Sequence, residues 1–324
     1  MKRSVLIVGC GNIAGGYDSD EEAGQIRTHA KAFARHGGFE LAACIDPDPE
    51  RRAAFAARWG CARTYDSLEA VTDRAFDVVS LCSPAELHAE QLRQLLDWPV
   101  GIVYCEKPLT LDVAASRALV AAYEKAGRPL AVNYQRRWDP AVRQLEAEDW
   151  GDLLAARGLY TKGVQTNGSH LIDLAQALLG PLRAEAVTDV VEDYEPHDPT
   201  IGAILRTQSG APLVLSVGDR RHFTVFELDL LFANGRVTFG DAGYSWCRRK
   251  VHDDPRYAGY RVLAPAAWQP TGLDQAFADA VANIHDVLEG QSALRSSGRT
   301  ALEAQEICAD LIRLAATRHK ETLS

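Results

Sequence analysis

The sequence predicts an α/β protein of two domains: a doubly wound parallel sheet over residues 1–130, and an α+β domain with a mostly antiparallel sheet over residues 131–324. Three observations carry this. Ser4-Val5-Leu6-Ile7-Val8 is an apolar run followed at once by Gly9-Cys10-Gly11-Asn12-Ile13-Ala14, the strand-then-turn order of a dinucleotide-binding unit, with alanine at the third small position. Apolar strands then alternate with amphipathic helices through residue 130, as in a parallel sheet. Beyond Tyr134 the alternation breaks, and from Ala184 short strands dominate.

Bulk properties fit a soluble enzyme. With 324 residues and 47% hydrophobic content, the chain exceeds the usual single-domain size. Met1-Lys2-Arg3 resembles a signal peptide's charged start, but the apolar run behind it ends at Val8. No stretch approaches the ~18 apolar residues of a membrane span, so the expectation is a cytoplasmic protein with no membrane contact. Cys10, Cys44, Cys61, Cys82, Cys105, Cys247 and Cys308 are scattered without a Cys-x-x-Cys pair, which suits a reducing compartment and predicts neither disulfides nor a metal site. A net charge of -9 argues against a nucleic-acid partner.

In the first domain, strands are expected at Val5–Val8, Leu41–Ile45, Val78–Cys82, Ile102–Cys105 and Leu130–Tyr134. Residues 17–27 read as a polar, acidic insertion ahead of a helix around His29 to Arg35, which places Asp46 about 30 residues past the glycine turn against the usual ~20. Asp46 has two readings. At a strand end its carboxylate can accept hydrogen bonds from both adenosine ribose hydroxyls and repel a 2′-phosphate, favouring NAD over NADP; alternatively it caps the helix from Glu50, and Arg51 and Arg52 blur the charge argument. Ser83 and Pro84 end the third of these strands as a helix cap beside the cofactor. His88 reads either as a contact to the nicotinamide ribose or substrate, or as a helix-surface histidine.

Cys105-Glu106-Lys107-Pro108 closes the next strand. Proline disfavours the helical region for the residue before it, so Lys107 is expected extended at the strand's carboxyl end, where open parallel sheets bind ligands. Alone, it reads more readily as a solvated lysine in a chance tripeptide.

In the second domain, Gln135-Arg136-Arg137-Trp138-Asp139-Pro140 breaks the pattern, with Asp139 as cap and Pro140 in the first turn of a helix to Glu148. Asn167-Gly168-Ser169-His170-Leu171-Ile172-Asp173 leads a helix that stops at Gly180. Ser209-Gly210 separates two strands, Asn234-Gly235 marks a hairpin, and helices return at Leu273–Glu289 and Thr300–Arg318, the last able to pack back on the first domain.

Taken in order, Gly-Cys-Gly-Asn-Ile-Ala at 9 to 14, Ser-Pro-x-x-x-His at 83 to 88, Glu-Lys-Pro at 106 to 108, Arg-Arg-Trp-Asp-Pro at 136 to 140 and Gly-Ser-His-Leu-Ile-Asp at 168 to 173 resemble the Gfo/Idh/MocA family of nicotinamide-dependent oxidoreductases. The resemblance implies an N-terminal Rossmann domain, a C-terminal open-faced sheet, a substrate cleft between the two, and a homodimer or homotetramer formed through that sheet. It implies NAD, or less favourably NADP, held by Gly9, Gly11, Asn12, Ile13, Ala14, Asp46, Ser83, Pro84, His88 and Glu106. Lys107 is similar to the family's active-site lysine and His170 to its acid/base histidine, with Arg137, Trp138, Thr166, Asn167 and Asp173 beside the substrate.

The chemistry is coherent. Oxidising an alcohol needs a group to take the hydroxyl proton as hydride leaves carbon. A histidine titrating near neutrality does this, and a lysine beside a cationic nicotinamide, its pKa depressed, hydrogen-bonds the same oxygen or exchanges the proton itself. One departure stands out: many relatives carry aspartate four residues before the histidine, where this chain has Thr166. Asp173 either orients the imidazole or packs the helix, Asn167 offers a neutral partner, and His170 itself also reads as a buried structural histidine. The resemblance implies a sugar, cyclitol, sugar phosphate or nucleotide-linked sugar as substrate. Arg136, Arg137, Lys162 and Arg248-Arg249-Lys250 supply an anion clamp or form a solvated face. A noncatalytic cofactor-bound regulator, and NAD-dependent glycoside cleavage, are the alternatives.

Overall fold

A computed structural model describes residues 2–18 and 24–322, with side chains as far as Arg318. Part of the expected insertion at 17–27, residues 19–23, lies outside the described residues. The helices are α1 (His29–Arg35), α2 (Pro49–Trp59), α3 (Ala85–Leu96), α4 (Val113–Lys125), α5 (Pro140–Ala147), α6 (Ser169–Leu179), α7 (Ala276–Leu288) and α8 (Gly298–Thr322). The strands are β1 (Arg3–Val8), β2 (Phe39–Ile45), β3 (Arg63–Tyr65), β4 (Phe76–Leu81), β5 (Val100–Cys105), β6 (Leu130–Val132), β7 (Leu153–Tyr160), β8 (Leu182–Glu195), β9 (Asp198–Thr207), β10 (Pro212–Val217), β11 (Phe226–Phe232), β12 (Gly235–Gly240), β13 (Ser245–Asp253), β14 (Arg261–Leu263) and β15 (Trp268–Pro270). They form two compact units, the first of Met1–Trp138 with Asp274–Leu302, the second of Asp139–Leu273 with the chain from Glu303 onward.

The first unit holds a six-stranded sheet in the order β3-β2-β1-β4-β5-β6, every pair parallel. This is the doubly wound dinucleotide-binding order. Side chains alternate faces along a strand, and both faces of a parallel sheet are covered. Thus Leu6 and Val8 enter one core with Leu81, Leu92 and Leu119, while Val5 and Ile7 enter another with Phe33, Ile102 and Phe277. The continuous apolar runs seen in the sequence follow from this double burial. Edge strand β3 was not expected, because three half-exposed residues, Arg-Thr-Tyr, are too few to show a period. Helix α7 packs Phe277, Ala280, Val281 and Ile284 into this unit's core.

The second unit holds a nine-stranded sheet ordered β14-β13-β12-β11-β7-β10-β9-β8, with β15 on β13. It is mostly antiparallel, and β7 with β10 is a parallel pair. Leu145 of α5, Leu171 and Leu174 of α6, and Ile307 and Leu311 of α8 cover one face, against Leu215, Leu228, Leu230 and Val237. Elsewhere on the sheet, Asp229 pairs with Arg236 at 2.7 Å and Arg157 at 3.6 Å, and Val214 and Leu231 are exposed. The hairpin lies where Asn234-Gly235 signalled it, but its turn is Ala233-Asn234, since Gly235 already pairs with Phe232. A Cβ on Gly235 would stand 2.5 Å from Arg249 O and 2.7 Å from the Trp150 ring, so this glycine answers close packing rather than turn geometry. Among the described residues, no helix is long and apolar enough to cross a membrane, and all seven cysteines are buried free thiols.

Candidate active site

The first unit's site is built at the carboxyl ends of β1, β2, β4 and β5. Gly9 leaves β1 at φ +87°, and a Cβ there would lie 2.7 Å from the Ser83 backbone nitrogen. Only glycine satisfies both the left-handed backbone and the approach of the next loop. Gly11 differs: a Cβ there would meet nothing within 4 Å, so no protein neighbour explains it, whereas a phosphate group laid against the backbone would. Residues Asn12–Gly16 form a short π-turn with Ala14 fully buried. A close-packing glycine missed in the sequence is Gly15, whose added Cβ would meet the Trp59 indole nitrogen and Phe55 of α2 at 2.8 Å or less.

Asp46 directly follows β2 and is buried. One carboxylate oxygen accepts the Cys10 N–H of the glycine turn (2.9 Å), and the other accepts the Asp48 N–H (2.9 Å) with Arg51 at 3.5 Å. The capping reading of Asp46 is overturned: the N-cap of α2 is Asp48, which accepts from the Glu50 and Arg51 amides, with Pro49 in the first turn. A cleft of about 390 Å³ runs along these strand ends, lined by Gly9, Asp46, Arg51, Ser83, Pro84 and Leu87 among others. The Gly11 clearance, the carboxylate tied to the turn and this cleft together fit the adenosine half of a dinucleotide.

Ser83 does not cap α3 through its hydroxyl, which donates instead to Gln91 Oε1 (2.5 Å); Pro84 occupies the N-cap position without a side-chain bond. Nor is His88 on the helix surface. It is buried, with Nδ1 2.9 Å from Pro108 O and Nε2 3.0 Å from Ser83 O. The ring ties the loop after β4 to the loop after β5.

Lys107 stands two residues past β5 in a bend, partly exposed, with a cis bond to Pro108. The strand ends at Cys105 as expected. Below it, Glu106 is a hub. Its Oε1 accepts from Asn133 Nδ2 (2.6 Å) and lies 2.7 Å from His29 Nε2, and its Oε2 accepts the Lys107 N–H (3.3 Å). Tyr104 OH donates to Asn133 Oδ1 (2.7 Å), and Ser80 Oγ lies 2.8 Å from His29 Nδ1. Burial opposes ionisation of Glu106, but the hydrogen bonds from His29 and Asn133 and the charges of His29 and Lys107 hold it below the usual carboxylate range. Burial likewise opposes a charge on His29, yet Cys82 and Glu106 push its pKa up to about 10. His29, Asn133 and Tyr104 escaped the sequence reading; the one signal available was a polar residue, Asn133, directly after an apolar strand.

In the second unit, residues Gly163–Gly168 form a π-turn that runs straight into α6. His170 is the second residue of α6, partly exposed, and Asp173 is buried one turn on. Thr166 donates its N–H to Asp198 Oδ2 (2.9 Å), and Asn167 Nδ2 donates to Thr161 O (3.0 Å) and Val225 O (3.2 Å). Trp138, expected beside the substrate, is fully buried in the first unit's core, its Nε1 donating to Asn283 Oδ1 (3.0 Å). Arg137 is also buried. Of the clamp candidates, Arg248 pairs with Glu148 (2.7 Å), Arg249 donates to Ala264 O (2.7 Å), and Lys250 donates to Asp149 O (3.1 Å) over the Trp150 ring. That run binds its own sheet edge.

Residues 3–134 match the sequence model of the Gfo/Idh/MocA group, described as an oxidoreductase family with an NAD-binding Rossmann fold. Residues 3–134 belong to the Gfo/Idh/MocA family. It is 27% identical over 234 residues to a D-apiose dehydrogenase of Paraburkholderia graminis, covering 64% of this chain and 62% of that one. It is 32% identical over 222 residues to an inositol 2-dehydrogenase of Rhizobium meliloti, covering 60% of this chain and 66% of that one. These matches therefore span slightly less than two thirds of either relative. The fold agrees over 98% of this chain, at TM-score 0.77 and 19% identity, with 96% of the WlbA dehydrogenase of Bordetella pertussis, solved with NADH and UDP-GlcNAcA.

Proposed function

We propose that this protein is an NAD-dependent oxidoreductase of the Gfo/Idh/MocA family that moves hydride between the nicotinamide and a secondary alcohol or ketone of a sugar, cyclitol or nucleotide-sugar-like substrate. The observation that carries this is Lys107, set just past β5 on the half-buried Glu106 hub, in the same sheet whose β1 turn and Asp46 fit a dinucleotide. When bound, the nicotinamide supplies the hydride acceptor or donor. The turn at Gly9 and Gly11 takes the pyrophosphate and Asp46 the adenosine ribose, which favours NAD. Lys107 is the active-site lysine, hydrogen-bonding the reacting oxygen, and His170 is the acid/base group that takes or returns the hydroxyl proton. The relatives named for apiose and inositol, and the WlbA complex, support a polyol substrate. A homo-oligomer through the second unit's sheet, in the cytoplasm, belongs to the same reading.

The test is reduced-cofactor absorbance with NAD and a panel of sugars, cyclitols and nucleotide sugars. Net formation of NADH with one of them is expected. Cofactor recycling with bond cleavage would point to glycoside cleavage instead. Thr166, without the carboxylate of many relatives, favours a second reading, a noncatalytic regulator, which silence across the panel together with retained NAD binding would support.

A further inference from the structure

We propose that Asp198 is the positioning residue of His170, a role that rests on the acid/base reading above. Asp198 comes from the start of β9, 28 residues beyond His170 in the chain by number, and its side chain is buried. Its two oxygens accept two successive backbone amides of the π-turn, Gln165 N–H at 2.7 Å and Thr166 N–H at 2.9 Å. These are amides at the start of a helical segment that runs from Gly163 through α6, where N–H groups lack intrahelical partners and negative charge is favourable. His170 follows Thr166 by four residues, one turn along the same segment.

The surroundings are shaped for this contact. Gly163 has φ +75°, and a Cβ on it would stand 2.2 Å from Asp198 Oδ2 and 2.7 Å from Asp198 O. Any side chain at 163 would displace the carboxylate. A second buried carboxylate fixes the entry to the turn: Asp193 accepts the Lys162 N–H (3.0 Å), the Arg220 N–H (2.8 Å) and the Thr200 hydroxyl (2.6 Å), and Thr200 Oγ1 in turn accepts the Gly163 N–H (2.8 Å). Lys162 is thereby held at φ +70°, a conformation that lysine adopts only where its surroundings impose it. The β8–β9 hairpin thus grips residues 162–166 through four backbone amides. Position 166 lacks a carboxylate in its own side chain, and one arrives on its backbone from another strand.

The contact is tested with Asp198→Asn, which keeps the side chain's shape and removes its charge and one acceptor. Three readouts are taken: the His170 ring resonances, assigned by their loss in His170→Asn; amide exchange at Gln165 and Thr166; and kcat and KM for the alcohol that the NAD panel returns. In native protein both amides should be protected. In Asp198→Asn their protection should fall, the His170 ring signal should shift or broaden, and kcat should drop about 10-fold or more, the scale of a small misplacement of a catalytic group, with KM within about 2-fold. Restoration of kcat by the reverse change excludes a preparation effect. Gly163→Ala, which pushes the carboxylate away from the other side, should reproduce the pattern if Asp198→Asn folds poorly. Rapid exchange of both amides in native protein, or an unmoved His170 resonance and kcat in Asp198→Asn, overturns the assignment. Full turnover in His170→Asn overturns the acid/base reading itself, whatever the amides show.

Discussion

His29 Nε2 lies 2.7 Å from Glu106 Oε1, and both side chains are shielded, the histidine completely. A histidine–carboxylate pair, the histidine fully buried and the glutamate mostly so, thus sits beside the backbone of Lys107, whose N–H reaches the second oxygen of the same carboxylate. Removing His29 leaves the Glu106 carboxylate without its charged partner, held only by Asn133 and the Lys107 amide; breaking a buried pair this way costs about 3–5 kcal/mol, and the remaining donors and partial exposure of Glu106 set this case at the lower end.

His29→Gln should therefore destabilise the protein by about 3 kcal/mol near neutral pH. The pH dependence follows from the directions of the shifts. The pKa of His29 is raised from 6.5 to about 10, so its contribution is complete below 6.5 and is lost as pH rises through about 10. That of Glu106 is lowered from 4.5, so its contribution is present above 4.5 and is lost as pH falls below it. Denaturant unfolding of native and His29→Gln protein should show the largest gap between about pH 5 and 6 and a steady narrowing toward about pH 10. A gap that widens with rising pH is incompatible with an ion pair.

We propose that Asp46 sets the choice of cofactor. Both of its oxygens face backbone amides, one of them in the glycine turn, so its charge is fixed at the cleft where an adenosine ribose fits. Native protein should bind NAD more tightly than NADP in a fluorescence titration, and Asp46→Ala should narrow the difference by removing repulsion of the 2′-phosphate, with Arg51 left to favour NADP. Equal affinities in the native protein would remove this role from Asp46.

Lys107 donates its backbone N–H to the Glu106 carboxylate at 3.3 Å, and its side chain is the proposed partner of the reacting oxygen. Lys107→Met should keep the melting temperature and NAD affinity close to native while lowering turnover at least ~100-fold, the low end of general acid/base contributions. Surviving turnover would make Lys107 structural and move the chemistry elsewhere.

The contrast between residues read correctly and residues missed has a physical origin. Val5–Val8 and Val78–Leu81 announce themselves because strands buried on both faces must be apolar throughout. Gly9 and Pro140 are legible because one backbone conformation demands them. The hairpin at Asn234 was off by one residue because Gly235 serves packing against Trp150, which no local rule encodes. His29, Asn133, Asp193 and Asp198 were invisible for a related reason. Each acts on a partner 27 to 77 positions away, and single aspartates or histidines look alike until the fold brings the partner in. Trp138 shows the opposite error, since a motif neighbour taken as a substrate contact proves to be core.

Thr166 lies four residues ahead of His170. Its amide is held by Asp198, and its side chain belongs to the turn that precedes His170 on a continuous helical segment. As the proposed acid/base group, His170 takes a proton in the oxidative direction only when neutral, so activity should fall as pH drops through the histidine range, and His170→Asn should remove that limb with most of the turnover. A carboxylate introduced by Thr166→Asp lies four residues before the imidazole, a spacing at which helical side chains meet, and favours the charged ring. The acid limb of the kcat/KM profile should therefore move to higher pH. An unchanged profile in Thr166→Asp would mean that the side chain at 166 does not face His170, and that the family's spacing does not carry its geometry into a segment that begins as a π-turn.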